Sequence, residues 1–462
     1  MTEYIAQIWP LAAMVGLFVL GVFVFKLPVS LSLAAAAIGG AAVGGEGFPL
    51  RHFVEGASGY MDTLLIIGTA MIFMQMIQAS GLLDTIAHFL AITFRHRPST
   101  LLILMMLFAM SGGMITGSST AAVLTTGALT APVLMNMGIS RDRTGAIIAM
   151  AGILGMIAPP VNIPAMLIGG GVDLPYIGFG FPLLFLTVPL AVIIAFFLGL
   201  GSVKNGRIDP AALPRSYHSE YGWRLYSPLL LLLILIIGER AFPRHFPSLG
   251  MPLDFMVCAL ITPFTGRRMN PLHIAQKAIN AALPVMGILV GVGIFLQIMT
   301  LTGVRGFIVG MLIGLPHTLR YLSIGASMPL FGAVSSFGSA SILGVPFVLS
   351  FTGRNLIVVA AALSLIAGLG DLMPPTALAG LFAAQVVKQK NYIKILRYCF
   401  VPALLIIGAG LGYIATADLW AGLFFKGSHL SLWAVITGLF LLTVGLPYFL
   451  DRVWIKRAKE ET

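Results

Sequence analysis

The chain has 462 residues, of which 58% are hydrophobic and only 9% charged, and its mean hydropathy is +0.99. A soluble domain carries about 25% charged residues, so a soluble globular protein is excluded and an all-α polytopic membrane protein is expected. The net charge of +11 is spread over short loops, which suits contact with anionic lipid and argues against a nucleic-acid partner.

Apolar runs expected to span the bilayer lie, in chain order, at 11–25, 30–43, 64–77, 101–115, 146–167, 182–200, 229–237, 283–299, 356–369, 401–414 and 432–448. Only Glu3, and no Lys or Arg, precedes the first, so the start does not resemble a cleavable signal peptide. Lys26 follows the first run, and Arg452, Lys456, Arg457 and Lys459 follow the last. The positive-inside rule then puts the N-terminus outside and the C-terminus in the cytoplasm. Residues 203–224, with Lys204, Arg207, Asp209, Pro210, Pro214, Arg215, Glu220 and Arg224, form the longest polar stretch. They are expected on the cytoplasmic face, as a solvated loop or as a connector between two movable halves. Cys258 and Cys399 sit in or beside apolar runs and are expected to pack, with no disulfide framework or metal site.

The two halves repeat each other. Ile72–Gly81 matches Ile294–Gly303, with six of ten positions identical or exchanged only Ser/Thr or Met/Leu. A Gly/Ser/Thr cluster, Gly117-Ser118-Ser119-Thr120, precedes Pro159-Pro160; a second, Gly332 through Ser335 and Ser336 to Ser341, precedes Pro374-Pro375. Gly117 and Pro159 are 42 residues apart, as are Gly332 and Pro374. Three landmarks in one order favour a duplication.

Interrupting a helix at membrane depth exposes backbone polar groups, at several kcal/mol each, unless something occupies them. Unwound carbonyls and Ser/Thr hydroxyls can replace the hydration shell of a sodium ion, and helix N-termini attract an anionic substrate. Such clusters also occur where helices merely pack closely, but the duplicated arrangement favours a binding site. Asn162 follows the first proline pair and offers an amide oxygen; Thr376 follows the second and offers a hydroxyl. Asp371 lies three residues before Pro374 in an apolar run, and its repeat counterpart is Met156. It is expected to ligate a cation, carry a proton or pair with a basic side chain. Arg141, Arg143 and Arg354 are expected as interfacial anchors rather than substrate ligands.

Gly117-Ser118-Ser119-Thr120-Ala121 with Pro132, Gly155 and Ala158-Pro159-Pro160 resembles the first-half motif of the large membrane subunit of tripartite ATP-independent periplasmic (TRAP) transporters. Gly332, Pro346 and Pro374-Pro375 resemble the second-half motif, and the likeness runs from about Leu50 to Phe424. The resemblance implies two inverted repeats with re-entrant hairpins and broken helices in a bacterial inner-membrane elevator transporter. Sodium at the hairpin tips would drive import of a C4-dicarboxylate-like organic acid. A periplasmic substrate-binding protein and a small four-helix membrane subunit are the implied partners; no cofactor other than the coupling sodium is expected. The implied layout is scaffold helices at 1–57, a first repeat at 58–202, the connector at 203–224 and scaffold helices at 225–279. A second repeat at 280–396 and C-terminal scaffold helices with a basic tail at 397–462 complete it. The sodium and substrate candidates are Gly117, Ser118, Ser119, Thr120, Pro159, Pro160, Asn162, Gly332, Ser335, Ser336, Asp371, Pro374, Pro375 and Thr376. Two departures stand out: Ser335 and Ser336 replace an acidic residue of many members, and Asp371 is acidic where the family is not.

Two alternatives compete. One is a stand-alone sodium-coupled carboxylate symporter or sodium/proton antiporter. The other is an intramembrane aspartyl protease, because Gly368-Leu369-Gly370-Asp371 and Pro402-Ala403-Leu404 resemble the motifs of that group. Such catalysis needs a second carboxylate beside Asp371, and the required Tyr-Asp pair is absent. No Gly-Lys-Ser/Thr phosphate loop is present, which disfavours an ATP-driven pump.

Overall fold

The computed structural model describes residues 6–203, 213–241, 249–374, 376–426, 437–439 and 441–451. Among them the fold is helical with no β-strand. Six helices among the described residues are long and apolar enough to cross a membrane: Leu50–Ala79, Pro98–Thr116, Gly180–Ser202, His218–Glu239, Pro271–Leu301 and Ile393–Ala415. Shorter apolar helices fill the space between them, including Leu82–Thr93, Met251–Phe264 and Val304–Gly314, which hydropathy alone passes over. Polar residues such as Asp84, His88, Asp254 and Arg305 dilute their apolar signal.

Two long helices, Leu50–Ala79 and Pro271–Leu301, cross at glycines. A Cβ placed on Gly56 would lie 2.6 Å from the Gly293 carbonyl oxygen, so the backbones touch there. The matched decapeptides end these two helices in the same way. Gly81 (φ +84°) turns Met61–Ala79 into Leu82–Thr93, and Gly303 (φ +72°) turns Pro271–Leu301 into Val304–Gly314. Each glycine adopts a left-handed conformation that costs an L-residue roughly 1–2 kcal/mol.

Arg141–Ile157 and Leu356–Gly368 lie at the centre. Residues 144–157 of the first and 358–368 of the second are all buried. A helix apolar on every side is stable only when surrounded, and each is flanked by a hairpin and by the opposite half. The expected single run 146–167 is in fact two helices, Arg141–Ile157 and Ile163–Gly170, because the proline pair stops the first.

The described part of the connector is docked rather than free. The Tyr217 amide donates to Thr85 Oγ1 (3.0 Å), His88 Nδ1 meets the Pro214 carbonyl (2.9 Å), and Arg215 pairs with Glu220 (2.6 Å). Lys204, Arg207, Asp209 and Pro210 lie outside the described residues, as do Glu3 and the basic tail from Arg452.

Two buried charges hold helix ends. Arg320 donates to the carbonyls of Leu312 (2.9 Å), Ile313 (2.8 Å) and Ser350 (3.0 Å), closing the ends of two helices. Asp451, 1% exposed, accepts from the amides of Ser99 (2.8 Å) and Thr100 (3.0 Å) and from the Thr100 hydroxyl (2.6 Å). It caps the start of Pro98–Thr116, where orphan amides and the helix dipole both favour a carboxylate. Asp451→Ala should cost about 1–2 kcal/mol, the range of lost caps. Thermal unfolding in detergent measures it; an unchanged midpoint would rule out the cap as a stabilising contact.

Candidate functional site

The first hairpin descends as Pro98–Thr116 and turns at Gly117, left-handed at φ +64°. Ser118 is extended, and its hydroxyl accepts from the Ala121 amide (3.3 Å), starting the return arm at Ser119. Thr126 Oγ1 donates to the Ala109 carbonyl (2.8 Å) and pins the arms together. That arm carries a π-helical turn, Val123–Gly127, of a kind frequent at functional sites.

The first broken helix stops at Ile157, and the Pro159–Pro160 peptide is cis. Breaking a helix leaves amides and carbonyls unpaired; Asn162 satisfies both sides of this break. Its Oδ1 accepts from the Ala165 amide (2.9 Å), and its Nδ2 donates to the Ile157 carbonyl (2.9 Å) and to the Ser364 hydroxyl (3.0 Å). Ser364 belongs to the other half. The Val161 amide donates to the Met114 carbonyl (3.1 Å), tying break to hairpin.

The second half uses similar devices. His317–Gly332 descends, Ser335 is extended, and its hydroxyl accepts from the Gly338 amide (3.1 Å). Ser339 donates to the Met328 carbonyl (2.6 Å), pinning these arms. Leu356–Gly368 runs into a 3₁₀ turn, Leu369–Leu372, that carries Asp371. Thr376 Oγ1 donates to the Ala333 carbonyl (2.6 Å), again tying break to hairpin. Ala377 is left-handed (φ +38°) ahead of Leu378–Val386, a strained conformation for a residue with a Cβ. The two capping serines are Ser118 and Ser335, so the spatial equivalence is offset from the Gly117/Gly332 landmarks. Gly332 instead ends its helix, buried against Gly370.

The two hairpin tips meet at one carboxylate. The Ser119 hydroxyl donates to Asp371 Oδ2, and the Ser336–Ile342 helix of the second hairpin, with Ser336 at its start, packs against the turn that carries the same group. Asp371 is 6% exposed, and Ser119 and Ser336 are buried. Among the described residues no Lys, Arg or His nitrogen comes within 4.0 Å of it. Among the described residues the side chain that hydrogen-bonds it carries a hydroxyl, not the second carboxylate a protease would use.

The remaining candidates fall around this point. Gly117 and Ser118 form the turn before Ser119, and half-buried Thr120 follows it; Pro159 and Pro160 are half-buried in the first break. Asn162 joins through Ser364, seven residues before Asp371. Pro374 turns outward to an apolar groove beside Leu396, Phe400 and Ala403, and Pro375 lies outside the described residues. Arg143 bonds Ser202, while Arg354 donates to the Ala415 carbonyl (2.6 Å) beside Asp418; neither reaches the tips. Sequence reasoning passed over Ser364, whose one signal is being the lone hydroxyl in an apolar helix. The donor set is hydroxyl, amide oxygen, carbonyl and a single carboxylate, all hard oxygen ligands suited to an alkali or alkaline-earth cation.

A family model, "Tripartite ATP-independent periplasmic transporter, DctM component", matches residues 11–415. No curated sequence matches the chain. In fold the chain is similar to the YdaH transporter of Alcanivorax borkumensis, described as having an unusual topology. The TM-score is 0.57 at 15% identity, over 81% of this chain and 88% of that one. It is also similar to MtrF of Neisseria gonorrhoeae, from a class of antimetabolite efflux pumps, with TM-score 0.56 at 13% identity, over 80% and 84% of the two chains.

Proposed function

The chain belongs to the DctM component family of tripartite ATP-independent periplasmic transporters, and from that premise we propose that it is the large permease subunit of such a system, importing a small organic acid on a sodium gradient. A C4-dicarboxylate-like acid is the substrate class. The observation that supports the reading is the meeting of the two halves at buried Asp371, which accepts from Ser119 of the first hairpin, while Asn162 and Thr376 tie the two helix breaks to the opposite half and to the second hairpin. Gly117, Ser118, Ser119, Asn162, Ser335, Ser336, Asp371 and Thr376 supply its donors.

The subunit works as an inverted-repeat elevator. The hairpins and broken helices carry the substrate, and Leu50–Ala79, Pro271–Leu301 and the terminal helices form the scaffold. Its partners are a small four-helix membrane subunit and a periplasmic binding protein. It sits in the bacterial inner membrane with its C-terminus in the cytoplasm. The fold also suits a stand-alone symporter or antiporter, and the likeness to MtrF raises export as a direction.

Reconstituted with its partners, the protein should take up substrate only with an inward sodium gradient. Uptake that persists when choline or potassium replaces sodium would sink the ion assignment. Uptake undiminished without the binding protein would favour the stand-alone reading. An antimetabolite moved outward against its gradient would favour export.

A further inference from the structure

Asp371 touches both halves of the site at once. Ser119 is the first residue of the return arm of one hairpin, and Ser336 the first of the other. The first donates to, and the helix begun by the second packs beside, a carboxylate supplied by neither hairpin but by the second broken helix. A buried ionised carboxylate without a partner costs several kcal/mol in desolvation, and none of the basic side chains described here reaches it. A serine hydroxyl can bond the carboxylate but cannot neutralise it. A small cation can, and each hydroxyl has two lone pairs to turn towards the ion while its proton goes elsewhere.

We propose that Asp371, Ser119 and Ser336 form one shared site for a small monovalent cation, sodium or lithium, ligated by both hairpins together. The inference rests on the sodium reading above and goes beyond it. Instead of each hairpin holding an ion of its own alone, one ion here takes a donor from each tip and its charge balance from Asp371. Lifting either hairpin strips a ligand from that ion, so occupancy locks both tips at once. Two empty-handed hairpins can open independently; two hairpins sharing an ion cannot.

The test uses the purified full-length protein and the cation alone as probe. Its melting temperature is titrated with NaCl, LiCl and KCl against choline chloride at constant ionic strength. Wild type should be stabilised by sodium and lithium, and much less by potassium. Asp371→Asn, nearly the same shape, should raise the half-saturating sodium concentration about tenfold or more, equivalent to about 1.4 kcal/mol. Ser119→Ala and Ser336→Ala should each raise it by a similar, smaller factor, because each removes one ligand from the same ion. The exchange Asp371→Ser with Ser336→Asp moves the charge across a contact and should restore sodium dependence lost in Asp371→Asn.

A sodium titration of Asp371→Asn that overlays wild type overturns the shared site while leaving sodium-driven transport standing. So does an effect confined to one of the two serines, which would assign the ion to a single hairpin. Sodium-independent uptake by the wild-type system overturns the sodium reading itself. If Asp371→Asn does not fold, the pair of serine variants decides the question.

Discussion

Alanine at Gly155 or at Gly370 should abolish transport and markedly destabilise the fold. A Cβ on Gly155 would lie 2.3 Å from the Met110 carbonyl oxygen, and one on Gly370 would lie 2.4 Å from the Gly332 Cα. Both obstacles are backbone, which cannot swing aside as a side chain can. These two contacts are where each broken helix crosses the descending arm of its own hairpin, so relieving the clash separates the two elements that build the site. Overpacking of this kind costs about 1–3 kcal/mol or more at each position. Gly306→Ala and Gly408→Ala are the controls, with nothing within 4 Å of the added methyl. In mid-helix they should be neutral or stabilising by up to about 1 kcal/mol. Thermal unfolding in detergent with parallel uptake assays measures all four; a Gly370→Ala protein as stable as Gly408→Ala would show that the crossing is not tight.

Asn162→Ala should be nearly as damaging, for a different reason. The side chain is fully buried and serves the Ala165 amide, the Ile157 carbonyl and Ser364 together. Removing it leaves two backbone groups unpaired, each at about 1–3 kcal/mol, and frees the helix ends that shape the first break, while the Ser364 hydroxyl keeps its bond to the Ala361 carbonyl. Asn162→Asp keeps the acceptor for Ala165 but sets a carboxylate oxygen against the Ile157 carbonyl, so it should not rescue. Ser364→Ala removes a single bond to the other half and should cost only about 1 kcal/mol. Substrate uptake and unfolding midpoints should therefore rank wild type, Ser364→Ala, then Asn162→Ala; equal effects from the last two would mean that the bridge between halves, not the cap, is what matters.

Class and site region were legible in the sequence because both depend on composition and on local signals. Hydropathy marked the spans, and proline pairs with Gly/Ser clusters marked the breaks, since these residues act on their own few neighbours. Gly81 and Gly303 turned out to hold the same left-handed conformation at the matched decapeptides. What was not legible is whatever depends on distant partners. Nothing near Asp371 in the chain signals Ser119, 252 residues away, and nothing near Asn162 signals Ser364, 202 residues away. Gly332 matched Gly117 in spacing, yet one closes a helix crossing and the other makes a left-handed turn. Pro374 belongs to the proline pair that marks the second break, yet it is exposed, two residues beyond the 3₁₀ turn that buries Asp371.

The Asp451 cap bears on how the protein is made. Its partner Ser99 lies 352 residues earlier. Ribosomes add roughly 5–20 residues per second, so about 20 to 70 s separate the synthesis of the first hairpin from that of its cap. Through that interval the opening amides of Pro98–Thr116 must rely on water, lipid headgroups or a chaperone. The first element of the site to enter the membrane is thus among the last to be completed, and a ribosome that stops short of residue 451 leaves it open.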